Sequence, residues 1–209
     1  MVREGICDRA GNQLPVSGFA PYAAAMSVCD PDLEGHAVRV GAFADTIARR
    51  LGWGDERLND VRVGAALHDV GKIAVRPEIL WKRGELDAEE IAQIRVHPVE
   101  GAWLIAGVRS LVRALPYVLF HHERWDGTGY PTQRAGTEIP LEGRILAVAD
   151  AFDAMTSVRP YRDALALDVA LEEVARCAGS QFDPHVAELF LDAWCDGEIV
   201  TDSSLAVTA

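Results

Sequence analysis

Six histidines occur in this 209-residue chain, and five stand in short, unusual contexts: His36, His68, His97, His121 and His122. Asp69 adjoins His68, and Asp150 lies in the apolar run RILAVADAFDAM. A single histidine beside an apolar stripe is most often an ordinary core or boundary residue. Five of them with two aspartates in buried contexts are different, because unpartnered burial costs several kcal/mol per group or forces the groups neutral. His36 precedes Val40 and Phe43 by four and seven residues, which puts it on the core side of a helix. Asp150 is flanked by Ile145, Leu146, Val148, Ala149, Ala151 and Phe152, so its helix reads as buried nearly all round and the aspartate needs a cation. The nearest candidate is a metal, and imidazole with carboxylate suits Fe, Mn, Zn, Co or Ni better than Ca or Mg. Seven side chains are too many for one centre that must keep an open position. Two octahedral ions offer about twelve positions, to be filled by these side chains, a bridging carboxylate, waters and substrate. Two ions about 3.5 to 4 Å apart can hold a bridging hydroxide and clamp a phosphate for in-line attack.

Helices must bring these residues together. Apolar spacing at Val40, Phe43, Ala44, Ile47 and Leu51 predicts a helix over 33–51, stopped by LGWGD. Asp55 reads as the cap of a helix running toward Asp69 and ended by Gly71. Asp87 begins another, with Glu89 and Glu90 in its first turn, and Pro98 should kink or interrupt it near His97. Helical patterns return at about 110–122, 141–156, 167–178 and 184–194, the last opened by Asp183-Pro184. Strand signals are nearly absent, so the reading is an all-α domain of about seven helices. The exception is the segment 123–140, whose glycines and prolines exclude a regular element; long structured loops are often functional.

Composition is that of an ordinary globular chain, 49 % apolar and 25 % charged. The balance of 20 basic against 32 acidic side chains argues against wrapping duplex nucleic acid, while leaving room for a small anionic substrate. No apolar run can span a bilayer, and the first residues lack a signal core, so a cytoplasmic protein is the expectation. Cys7, Cys29, Cys177 and Cys195 show no CxxC spacing and read as reduced, mostly packing residues.

The pieces HAVRV (36–40), ALHDVGKI (66–73), HP (97–98), HHERWDGTGYP (121–131), EIPL (138–141), RILAVADAFDAMTS (144–157), RPYR (159–162) and QFDP (181–184) occur in this order. Together they resemble the HD-GYP family, a branch of the HD phosphohydrolases, over about residues 30 to 185. The resemblance implies an HD-domain helical bundle with a long GYP loop. It implies a metal-dependent phosphodiesterase that opens cyclic di-GMP to pGpG, in some members onward to GMP. The family's metal ligands fall on His36, His68, Asp69, His97, His121, His122 and Asp150, with Asp69 as the bridge between two divalent ions, Fe or Mn being favoured. Asp32, one turn before His36, is the candidate ligand of a third ion; an equal alternative is a helix cap. Residues 1–21 would be a tail or linker, 22–196 the catalytic domain and 197–209 a C-terminal tail.

Within that resemblance, Asp69 supports the bridging hydroxide that attacks the phosphodiester. Lys72 faces the phosphate and assists the leaving 3′-oxygen. Arg159 and Arg162 sit at the second phosphate, where a planar donor fork suits the oxygens, and Tyr130 contacts the guanine. Asp126 reads as a turn residue, Asp153 as a partner orienting a ligand histidine, and His185 as an exposed helix residue. The tryptophans, Trp103 and Trp125 among them, read as packing residues. Two alternatives remain: a signalling module that docks on GGDEF-type diguanylate cyclases, or a phosphohydrolase of another nucleotide. With only 20 to 30 residues before the catalytic part, the expectation is a stand-alone enzyme or one with its regulator in a separate chain; a homodimer stays open.

Overall fold

The computed structural model describes residues 33–82, 84–158 and 163–199. The first amphipathic pattern forms α1 (Leu33–Arg50), which buries Val40, Phe43, Ala44, Ile47 and Ala48 at helical spacing. A glycine at positive φ, Gly52, turns the chain into α2 (Asp55–Leu67). Asp55 is not the cap: Gly54 holds that position and Asp55 lies in the first turn, where its charge suits the helix dipole. Nor does Gly71 end the helix. α2 stops at Leu67, and Gly71 lies inside a 3-10 turn, Val70–Ala74, entered from Asp69. There its lack of a side chain is required, because a Cβ would stand 1.9 Å from the His97 carbonyl oxygen.

The short helix α3 (Pro77–Leu80) leads to α4 (Ala88–Ile94), which opens on a complete Asp87–Glu90 capping box and buries no residue. Pro98 interrupts the helical path: α4 ends at Ile94 and α5 (His97–Ala106) starts afresh with the proline in its first turn. The expected helix at 110–122 is likewise divided, into a 3-10 turn, Arg109–Ala114, and α6 (Leu115–Phe120), with Pro116 at the break. After the long loop, which holds one 3-10 turn at Gly136–Glu138, come α7 (Leu141–Thr156), α8 (Leu167–Arg176) and α9 (Pro184–Cys195). Asp183 caps α9 by accepting from the His185 N–H at 2.9 Å. The described residues thus carry nine α-helices, more than the seven or so expected, because prolines divide the apolar patterns and α3 was too short to register. Among them no strand forms, only an isolated bridge between Ala178 and Phe182.

Two apolar clusters underlie the molecule. The larger joins α1, α2, α7, α8 and α9, with Phe152 packed edge-on against Phe43 at 5.4 Å and Phe190 at 4.8 Å. The smaller gathers Leu67, Val70, Ile105, Leu111, Ala114 and Val118 from the end of α2, the following turn, α5, the 3-10 turn before α6 and α6 itself. The first cluster carries His36 and Asp150, and the second carries the segments bearing Asp69, His97 and His121. One packing expectation fails. Trp103 is 76 % exposed, because α5 buries His97, Gly101 and Ile105, which leaves position 103 on the opposite face. Cys177 is buried but Cys195, the last residue of α9, is exposed; Cys7 and Cys29 lie outside the described residues. No helix among the described residues is long and apolar enough to cross a membrane.

Candidate metal centre

Three of the five histidines are positioned by helix ends. His68 follows α2 and its Nδ1 donates to the Ala65 carbonyl at 2.7 Å. His121 follows α6 and donates to Val118 at 2.9 Å, and His97 donates to Ile94, the last residue of α4, at 2.8 Å. The last carbonyls of a helix lack intrahelical partners, so a ring N–H three residues on satisfies one of them and is itself held in place. A carbonyl only accepts, which makes Nδ1 the donor and leaves Nε2 with a lone pair in the neutral ring. His36, inside α1, has no such carbonyl. Its Nδ1 donates to Asp153 Oδ2 at 2.7 Å, and Asp153 is held in turn by Arg39 Nε at 2.5 Å.

The four Nε2 atoms meet in two pairs, His36 with His68 and His97 with His121, each 3.2 Å apart. Asp69 stands between the pairs. Its Oδ2 lies 3.4 Å from His68 Nε2, while its Oδ1 lies 3.3 Å from His97 Nε2 and 4.0 Å from His121 Nε2. Asp150 Oδ1 joins the first pair, 3.5 Å from His36 Nε2 and 3.9 Å from His68 Nε2. His122 joins the second, so that donor atoms of Asp69, His97, His121 and His122 lie within 4.8 Å of one another, as do those of His36, His68 and Asp69. Facing Nε2 atoms at this distance need positive charge between them, either a proton on one ring or a cation. The same geometry suits a cation on each side of a shared carboxylate, so these residues fit the divalent metal binding of the family. The helix around Asp150 is buried from Ile145 to Ala149 but opens at Asp150 and Ala151, short of burial all round, because this face meets the histidines and not another helix.

Charge in the cluster follows the same plan. Burial opposes ionisation of Asp69, yet the Lys72 ammonium, 2.5 Å from Oδ2, and His68 hold its carboxyl well below the usual range. Burial also disfavours a charged His68, but Asp69, with Asp150 behind it, outweighs that and raises its pKa to about 9. This side of the centre recruits positive charge. On the other side, burial and neighbouring imidazoles keep His121 well below the ordinary value, and burial brings His122 down to about 4, so both stay neutral.

The long loop lies flat on the His121–Arg124 segment. A Cβ on Gly129 would stand 2.3 Å from the Arg124 nitrogen and 2.6 Å from the His122 oxygen, and the Tyr130 N–H donates to that oxygen at 3.1 Å. The Tyr130 ring stacks on His122 with centroids 4.8 Å apart. Asp126 forms the expected turn, accepting from the Thr128 N–H at 3.0 Å, and the His185 side chain is 65 % exposed. Asp32, Arg159 and Arg162 lie outside the described residues. Sequence reasoning missed three neighbours of the centre. Arg39 was signalled by its place one turn after His36. Glu123 clamps the loop by accepting from Thr132 N–H at 2.6 Å and Oγ1 at 2.7 Å, and nothing in the pattern singled it out. Arg95 places its guanidinium 5.2 Å from the centre of the Tyr130 ring.

The sequence matches the HD domain family over residues 23–186, and the chain belongs to that family. It is 38 % identical over 164 residues to a cyclic di-GMP phosphodiesterase of Thermotoga maritima, covering 78 % of this chain and 45 % of that protein. It is 37 % identical over 161 residues to 3′3′-cGAMP-specific phosphodiesterase 2 of Vibrio cholerae, covering 76 % of this chain and 31 % of that protein. The chain therefore spans less than half the length of either relative. A solved HD-GYP-type protein of Bdellovibrio bacteriovorus shares the fold with a TM-score of 0.64 at 19 % identity, over 86 % of this chain and 58 % of that one.

Proposed function

We propose that the chain is a metal-dependent phosphodiesterase that hydrolyses cyclic di-GMP to pGpG, with GMP as a second product of the same site. One observation carries this reading: Asp69 divides its two oxygens between two facing imidazole pairs, the arrangement a bridging carboxylate needs. His36, His68 and Asp150 form one set of ligands, and His97, His121 and His122 the other. Bound there, two divalent ions, iron or manganese, supply an activated water as nucleophile and a positive clamp for the phosphate oxygens. Asp153 and the helix-end carbonyls fix the rings in the tautomer that presents Nε2. Lys72 carries its ammonium beside Asp69 and offers a point charge to the phosphate and a proton donor for the leaving 3′-oxygen. Arg159 and Arg162 take the second phosphate, and Asp32 holds a third ion where one binds. Residues 22–196 form the catalytic domain of a cytoplasmic protein, with GGDEF-type cyclases or a separate regulator as partners and a homodimer as its assembly.

The test is anaerobic loading with Fe²⁺ or Mn²⁺, metal analysis, and chromatography of the products from cyclic di-GMP. Linear pGpG from a metal-filled protein is the expected result; a filled centre that yields none overturns the reading. A second reading takes 3′3′-cGAMP as the substrate, in line with the Vibrio cholerae relative. Competition between the two dinucleotides decides it.

A further inference from the structure

We infer that Arg95 reads the edge of a guanine and so sets which base the site accepts, an inference that rests on the cyclic dinucleotide reading above. Arg95 caps the C-terminus of α4, two residues before His97, and is exposed. Among the described residues its guanidinium has no hydrogen bond or ion pair; it is held over the Tyr130 ring, 5.2 Å from the centroid. Tyr130 in turn stacks on His122 at 4.8 Å, so the two separations cap the distance from the His122 ring to the guanidinium at 10 Å. The metal cluster, the aromatic ring and the guanidinium therefore form one continuous series. A cation over an aromatic face keeps its donors uncommitted and loses little freedom on binding. In a chain with a net charge of −12, an arginine that pairs with no carboxylate among the described residues, beside the site's wall, is available for a ligand.

Lys72 and the metal positions already serve the scissile phosphate. A guanine attached one sugar away presents O6 and N7, two acceptors that match the arginine fork, whereas adenine presents one acceptor and one donor at the same edge. The Tyr130 ring, engaged by His122 and Arg95, then serves as the support for this contact and not as a platform for the base.

The experiment compares wild type, Arg95→Gln and Arg95→Lys, all loaded with Mn²⁺, by equilibrium dialysis of GMP and AMP and by kinetics on cyclic di-GMP. Arg95→Gln should weaken GMP binding about 10- to 100-fold and AMP binding less than about twofold. Its KM for cyclic di-GMP should rise in step, with kcat and bound metal within about twofold of wild type. Arg95→Lys should recover little, because it keeps the charge and loses the fork. Equal weakening of both nucleotides makes Arg95 a phosphate contact and overturns the inference. So does unchanged GMP binding, full recovery by lysine, loss of metal from the glutamine variant, or failure of wild type to bind GMP. If wild type binds GMP but leaves cyclic di-GMP intact, the proposed function falls, while the GMP-to-AMP ratio still decides Arg95.

Discussion

His36 and the three helix-end histidines solve one problem in two ways. Each must present Nε2 to the centre with its other nitrogen tied down. His68, His97 and His121 use carbonyls three residues back, which α2, α4 and α6 leave unsatisfied where they end. His36 sits within α1, where the carbonyls are already paired, and borrows a carboxylate from α7, 117 residues away. The first solution is built by local chain geometry and needs no side-chain partner. The second depends on the packing of α1 against α7 and on the ionisation of a buried aspartate, which burial disfavours and His36 and Arg39 restore. The two halves of the centre should therefore fail differently.

Asp69→Ala is expected to give the largest effect, because its two oxygens face both halves. Losing the shared carboxylate should cut turnover on the order of 10³-fold and empty both metal positions, read by product formation and metal analysis. A variant that keeps one equivalent of metal would show that the halves do not share it. Asp153→Ala should cost about 10- to 100-fold in metal affinity, confined to the His36 side, and Arg39→Ala a smaller loss in the same direction. If Asp153→Ala empties the His97 side as well, the distinction between the halves collapses. Gly71→Ala attacks the other half through its scaffold. The new Cβ meets the His97 carbonyl and the Gly101 nitrogen, both backbone and unable to turn aside, so stability should fall by about 1–3 kcal/mol or more in denaturant melts.

The same contrast explains what the sequence revealed. His68-Asp69 and His121-His122 are conspicuous as adjacent pairs, and the interval of Asp153 from Asp150 suggested an orienting partner, which it is for His36. α7 and the opening of α9 were legible because apolar spacing and Asp-Pro capping agree with the packing they meet. Helix division was less legible. Pro98 and Pro116 can either kink a helix or begin one, and only the packing of α5 and α6 on the smaller cluster decides for a new start. The exposure of Trp103 was hidden for a related reason: residue type favours burial, and only the phase of α5 turns it outward. Glu123 and Arg95 act through a loop whose path no periodicity encodes.

The smallest expected effect tests whether a helix end positions a ligand only as well as its helix is held. α4 buries no residue, so its hold on the Ile94 carbonyl, and through it on His97, rests on the Asp87 cap. The Asp87 side chain accepts from the Glu89 and Glu90 N–H groups at 2.9 Å, and Glu90 returns the bond to the Asp87 N–H. Asp87→Ala should fray α4 while leaving both apolar clusters intact. Amide exchange at Ile91 and Arg95 should quicken about fivefold, and metal affinity on the His97 side should fall by about twofold. The Glu90 and Glu89 amides hold the Asp87 carboxyl below its ordinary value of 3.8. In wild type the cap is therefore intact above that pH and fades as pH falls below it, so slow exchange at these amides should be lost in the same direction. Unchanged exchange in Asp87→Ala would mean that α4 is anchored by something other than its cap. Quickened exchange with unaltered affinity would mean that His97 is held by α5 and the Gly71 contact, and that the helix-end carbonyl only follows.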